Sequence, residues 1–155
     1  PTGYVDPNVT LEANAKLLLN KFRPLWLKAI QAATADMKGV VVTMIKNDAF
    51  EAADRKLSKL KRLERLVYGI DRGEDPEDLE TSMGKFLMYS LYMTASHFYP
   101  DLTGEVSGSP NAGYYSRDLS VQSTDGVKKI IADIAAGDNT KLSAILAFFK
   151  RGLMS

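Results

Sequence analysis

Apolar residues recur at three- and four-residue spacings over most of this chain, the mark of amphipathic helices. In 10–22, "TLEANAKLLLNKF", Leu11, Ala15, Leu18, Leu19 and Phe22 fall on one face, with Asn8 or Thr10 placed to cap it. Pro24 ends that helix and suits the first turn of a second. The second, "PLWLKAIQAATADMK", carries Leu25, Leu27, Ile30 and Ala33 beside the only tryptophan, Trp26. The run "GVVVTMIK" at 39–46 is β-branched enough for a strand. A lone strand needs a partner, so the expectation is a helix that continues past Gly39.

Asp48 with Glu51 resembles a capping box ahead of "AFEAADRKLSKLKRLERLVYGI". Phe50, Ala53, Leu57, Leu60, Leu63, Val67 and Ile70 form its broad apolar stripe, with Arg55, Lys61, Arg62 and Arg65 on the other side. After Gly73, Asp75 and Pro76 supply a cap and a first helical residue, with acids near the positive end of the helix dipole. The fourth helix holds "MGKFLMYSLYMTASHFYP", 83–100, with three of the six methionines and the only histidine, His97. Met83 to Phe98 spans about 24 Å as helix, short of a bilayer core of about 30 Å, and Lys85 lies inside it. It is apolar on every side: Leu79, Met83, Phe86, Met93 and His97 share one face, Leu87, Leu91 and Phe98 a second, Met88, Tyr89 and Tyr92 a third. Such a helix belongs in the middle of a bundle, with methionine as adaptable filler. His97 then reads as a core-edge residue.

Regular pattern fails from Tyr99 to Ser123, where Gly, Ser, Pro and Asn concentrate. "RDLSVQS" alternates enough for a short edge strand. Two short helices close the chain. Ser123 or Thr124 caps the first, Gly137 stops it, and Asp138 or Asn139 caps the last, which keeps Leu142, Ile145, Leu146 and Phe149 on one side. The expected fold is mainly α: a single helical domain over 1–155, a bundle of five or six helices, with a long irregular loop and room for a short β excursion between helices four and five.

Composition changes this picture little. Of 155 residues, 45% are hydrophobic and 25% charged, ordinary globular values. Cysteine is absent, which removes disulfides, thiolate zinc sites and cysteine nucleophiles. No phosphate-binding glycine loop, nucleophile elbow or paired-histidine motif occurs, and "DRGEDPEDLE" lacks calcium-loop spacing. No enzyme, cofactor or metal is expected. The chain does not open on a charged leader with an apolar run, so the expected location is cytoplasmic or within a particle.

Charge adds more. Residues 1–72 carry 13 Lys/Arg against 8 Asp/Glu, a net +5; residues 73–155 carry 7 against 11, a net −4. Oppositely charged halves suit head-to-tail contacts between copies. "DRKLSKLKRLER" reads first as a solvated helix face; Arg55, Lys61, Arg62 and Arg65 are otherwise its candidate contacts to phosphate or an acidic partner. In the 104–118 loop, Val106, Tyr114, Tyr115, Arg117 and Asp118 have the composition of a protein interface. The expected function is a non-enzymatic structural or assembly subunit in a homo-oligomer or larger assembly, a virus or phage particle component among the possibilities. A nucleic-acid-binding or packaging accessory protein using the basic helix is the second reading.

Overall fold

The computed structural model describes residues 11–71, 82–103 and 125–155. Within them the chain is helical throughout. The helices are α1 (Leu11–Lys21), α2 (Arg23–Lys46), α3 (Phe50–Asp71), α4 (Ser82–Phe98), α5 (Pro100–Thr103), α6 (Asp125–Ala135) and α7 (Asn139–Met154). The mainly α expectation holds. The helix count exceeds five or six because one short turn, α5, opens on Pro100. The irregular stretch expected from Tyr99 instead opens on a helical turn, Pro100–Thr103; the rest of that loop, its edge strand and the Asp75–Pro76 helix start lie outside the described residues.

The break before Pro24 is present: α1 and α2 join through Phe22, with Pro24 in the first turn of α2. The 39–46 run is helix, as expected, because Val41 is buried and continues the stripe set by Trp26, Ile30, Ala33 and Met37. Trp26, rather than Leu25 or Leu27, leads that stripe. Its ring packs on Phe149 at a centroid distance of 5.0 Å, and its indole N–H points to the Leu18 carbonyl at 3.5 Å.

Asp48 has a different job from the one its sequence context suggests. It sits at φ 59°. Its N–H donates to Ile45 O at 3.1 Å, and the N–H of Ala49 donates to Met44 O at 2.8 Å. That pair of bonds closes α2 as a left-handed C-terminal cap. Ala49 then accepts the first bond of α3, from the N–H of Ala53 at 2.9 Å. A carboxyl residue tolerates the left-handed region better than most, so three residues suffice to turn the chain. The same bond pattern recurs at Gly137, φ 93°, where Gly137 N–H donates to Ile134 O and Asp138 N–H to Asp133 O. Asp138 caps α7 as expected, accepting from the N–H groups of Thr140 and Lys141.

The core gathers residues from all the longer helices: Leu18 and Leu19, Trp26 to Met37, Leu60 and Leu63, Phe86 to Ala95, Val127 to Ile134, and Ile145 to Leu153. Helix α4 is the central member, as its all-round apolar pattern implies. Every residue from Phe86 to Tyr92 is buried. Its buried serine and threonine hydroxyls are satisfied within the helix, Ser90 donating to Leu87 O and Thr94 to Ser90 O, both at 2.7 Å. Helix α7 crosses α4 closely at Gly152, whose missing side chain leaves room for Phe86 and Tyr89. His97 is exposed, with its ring edge-on to Phe98. It lies near the end of α4, past the last fully covered turn.

Candidate interaction face on the α2–α3 hairpin

Helices α2 and α3 run antiparallel from the turn at 47–49, and α3 packs chiefly on α2. Between positions 38 and 59 only Val41 and Ala53 are buried. Neither belongs to the central core, whose nearest members are Met37 and Leu60. The distal part of the hairpin is therefore an arm of about nine residues per helix, roughly 13 Å long.

One side of this arm is apolar. Val42 and Ile45 on α2, and Phe50 and Leu57 on α3, are 50%, 49%, 60% and 37% exposed. Sequence periodicity placed Phe50 and Leu57 in the buried stripe of α3. The structure centres burial on Ala53, Leu60 and Leu63 and leaves those two on its rim, because α2 covers only one flank. Helical phasing puts them on the same side as Lys38 and Glu64, whose side chains pair across the two helices at 3.6 Å. That pair is exposed and contributes little energy, but it marks the shared face. Toward the bundle the face opens into grooves of about 700 and 400 Å³, lined by Lys61, Glu64, Arg65 and Tyr68 and, over α2, by Thr34 and Ala35.

The outer side of α3 is cationic. Of the four positions expected from sequence, all exposed, Arg55 and Arg62 lie there beside half-buried Lys59, whereas Lys61 and Arg65 line the groove next to Glu64 and Tyr68. Burial, and then the charges of Lys56 and Arg62, hold the Lys59 ammonium below its ordinary pKa. Ion pairs among the described residues include Lys38–Glu64, Lys150–Asp36 and those of Lys141. None of these involves the six cations between Arg55 and Arg65. The interface expected at Val106, Tyr114, Tyr115, Arg117 and Asp118 lies outside the described residues.

A second polar cluster joins α4, α6 and α7. The Tyr99 hydroxyl donates to Asp133 Oδ2. Lys141 Nζ lies 3.0 Å from Asp138 and 3.8 Å from Asp133. Lys141 also sits over the Phe98 ring at 4.8 Å, and Lys129 over the Tyr99 ring at 5.1 Å. The hydrogen bond to Asp133 raises the Tyr99 pKa, the bond to Asp138 raises that of Lys141, and the bond from Lys141 lowers that of Asp138. Each group is thus held in its ordinary form, opposite to the shifts that make a tyrosine or lysine a base. The arrangement is a clamp. Its sign with pH follows directly. The Asp138 part is present above the ordinary value of 3.8 and is lost as pH falls through the lower folded value. The Tyr99 and Lys141 parts are present below 10.0 and 10.5 and are lost as pH rises through the raised values. Tyr99→Phe is expected to lower Tm at neutral pH, and the gap to the wild type should shrink above about pH 10. A gap that stays constant in a Tm–pH series would disprove the assignment.

Among the described residues no group of three or more metal-ligating side chains converges, and no helix is long and apolar enough to cross a membrane. No family model, no curated protein and no solved structure matches this chain.

Proposed function

We propose that the chain is a non-enzymatic assembly subunit that associates with a second copy of itself through the α2–α3 arm. The observation that carries this is the placing of four large apolar side chains, Val42, Ile45, Phe50 and Leu57, on one side of a projecting hairpin. Together they expose on the order of 300–400 Å², within the range of the largest patch on a typical monomer, which is often functional. The other large apolar residues exposed among those described are Leu17 and Leu102, one on α1 and one on α5. Among the described residues the best apolar complement is therefore the patch itself, which favours a two-fold contact over the head-to-tail contact that the charge halves suggest. About 800 Å² per partner is standard, so Lys38, Lys61 and Glu64 would complete the contact around the apolar centre. A small structural subunit of a larger particle, viral or phage particles included, is the class this fits.

The test is sedimentation of the wild type and of Ile45→Asp/Phe50→Asp. The wild type should exceed the monomer mass of 17.1 kDa at micromolar concentration. The double variant should stay monomeric with unchanged circular dichroism, its association weakened at least about 30-fold per side chain if each is worth about 2 kcal/mol. A monomeric wild type, or a variant that associates unchanged, would remove the proposal.

A further inference from the structure

We propose that the outer side of α3 is a binding site for the phosphate backbone of a nucleic-acid duplex, with Arg55, Lys59 and Arg62 as its central contacts. These three positions follow at i, i+4 and i+7, so they share one stripe and rise about 6 and 4.5 Å apart. Lys61 and Arg65 flank the stripe on the groove side. Between Arg55 and Arg65 there are six basic residues and one acid, Glu64, which faces Lys38. Exposed helix faces usually balance such charges with acids at i±3 and i±4. Here Glu51, four before Arg55, and Glu64, three after Lys61, are the acids at such spacings; Lys56, Lys59, Arg62 and Arg65 have none, and burial first, then the charges of Lys56 and Arg62, lower the Lys59 ammonium pKa. A row of cations that outnumbers its acids along a helix matches a rod of regularly spaced negative charge.

The geometry also selects the class. The stripe lies on a helix that, among the described residues, packs chiefly on α2, which leaves its outer side toward solvent. No aromatic residue stands between Arg55 and Arg65, which leaves no stacking platform for unpaired bases. No Asn or Gln stands there either, so the stripe lacks the side chains that read adenine edges. The stripe and the apolar patch occupy different sides of α3, so this site does not depend on self-association.

The experiment is fluorescence anisotropy with a duplex DNA of random sequence, about 24 base pairs long, and a duplex RNA of the same length, titrated between about 50 and 200 mM salt. The variants are Arg55→Gln/Lys59→Gln/Arg62→Gln, which keeps helix propensity, and the milder Arg62→Gln. The wild type should bind at low salt with a slope of log K on log salt of about −0.9 per phosphate contacted. The triple variant should bind at least about tenfold more weakly, with a slope smaller by roughly 2.7, and the single variant by about 0.9. Binding of either duplex supports the site, and the preference between them tells DNA from RNA. Binding of neither at 50 mM salt overturns it. So does an unchanged slope in either folded variant, or equally tight binding of poly-glutamate of matched charge, which would assign the stripe to an acidic protein.

Discussion

Trp26→Ala is expected to cost about 3–5 kcal/mol, the range for emptying a buried aromatic site. Trp26 is fully buried and stands where α1, α2 and α7 meet: its N–H reaches the Leu18 carbonyl, and its ring packs on Phe149. Truncation removes the transfer energy of the ring, leaves a cavity that three helices must share, and strips Phe149 of a ring contact. Domains of this size hold about 5–15 kcal/mol in all, so the variant should sit close to its unfolding midpoint at physiological temperature. Trp26→Phe keeps most of the volume and should cost clearly less. Urea unfolding followed by circular dichroism is the measurement, since the chain has no other tryptophan to report by fluorescence. A cost under about 1 kcal/mol for the alanine variant would show that α7 does not rest on this residue.

Gly152→Ala should destabilise by about 1–3 kcal/mol, although alanine is the better helix former. A Cβ there would stand 3.1 Å from Tyr89 Cδ2 and 3.2 Å from Phe86 Cδ1. Both rings are buried within α4 and cannot swing out of the way. Gly39 supplies the contrast. It lies mid-helix in α2 with nothing within 4 Å of its missing Cβ. Gly39→Ala should therefore stabilise by about 0.5–1 kcal/mol. Opposite signs for one substitution at two helical glycines, read from thermal melts, would confirm that the α4–α7 approach is set by Gly152. Trimming the opposing ring, as Phe86→Leu, should make the Gly152→Ala cost smaller in the double variant than in the single one.

The helical architecture was legible because its determinants are local. Period, the proline at 24, the glycine at 137 and the cap at Asp138 each act over one turn. The central place of α4 was legible for the same reason: a helix apolar on every side has no face to give to water. What misled was information held by neighbours. Asp48 looks like a cap because Glu51 follows it, yet the chain must reverse there, and the left-handed residue that ends α2 takes precedence. Phe50 and Leu57 fit the apolar period of α3, but a helix packed chiefly against one partner cannot cover so broad a stripe. A signal for the exposed patch was present. "GVVVTMIK" holds more apolar residues than one helix face can bury, and Val42 and Ile45 are the surplus. The charge density of α3 was legible, since it needs no tertiary knowledge, but the sequence reading passed over Lys59 and did not separate Lys61 and Arg65, which line the groove, from the outer side.

The short link at 47–49 also bears on how the chain reaches this structure. Contacts between α2 and α3 join residues close in sequence, whereas those between α4 and α7 join residues some sixty positions apart. Closing the longer loop costs more chain entropy before any contact repays it. The hairpin is therefore expected to form first and to offer Trp26, Ile30 and Leu63 as a template on which the later helices condense. The same arm that faces outward in the finished molecule would then begin its folding.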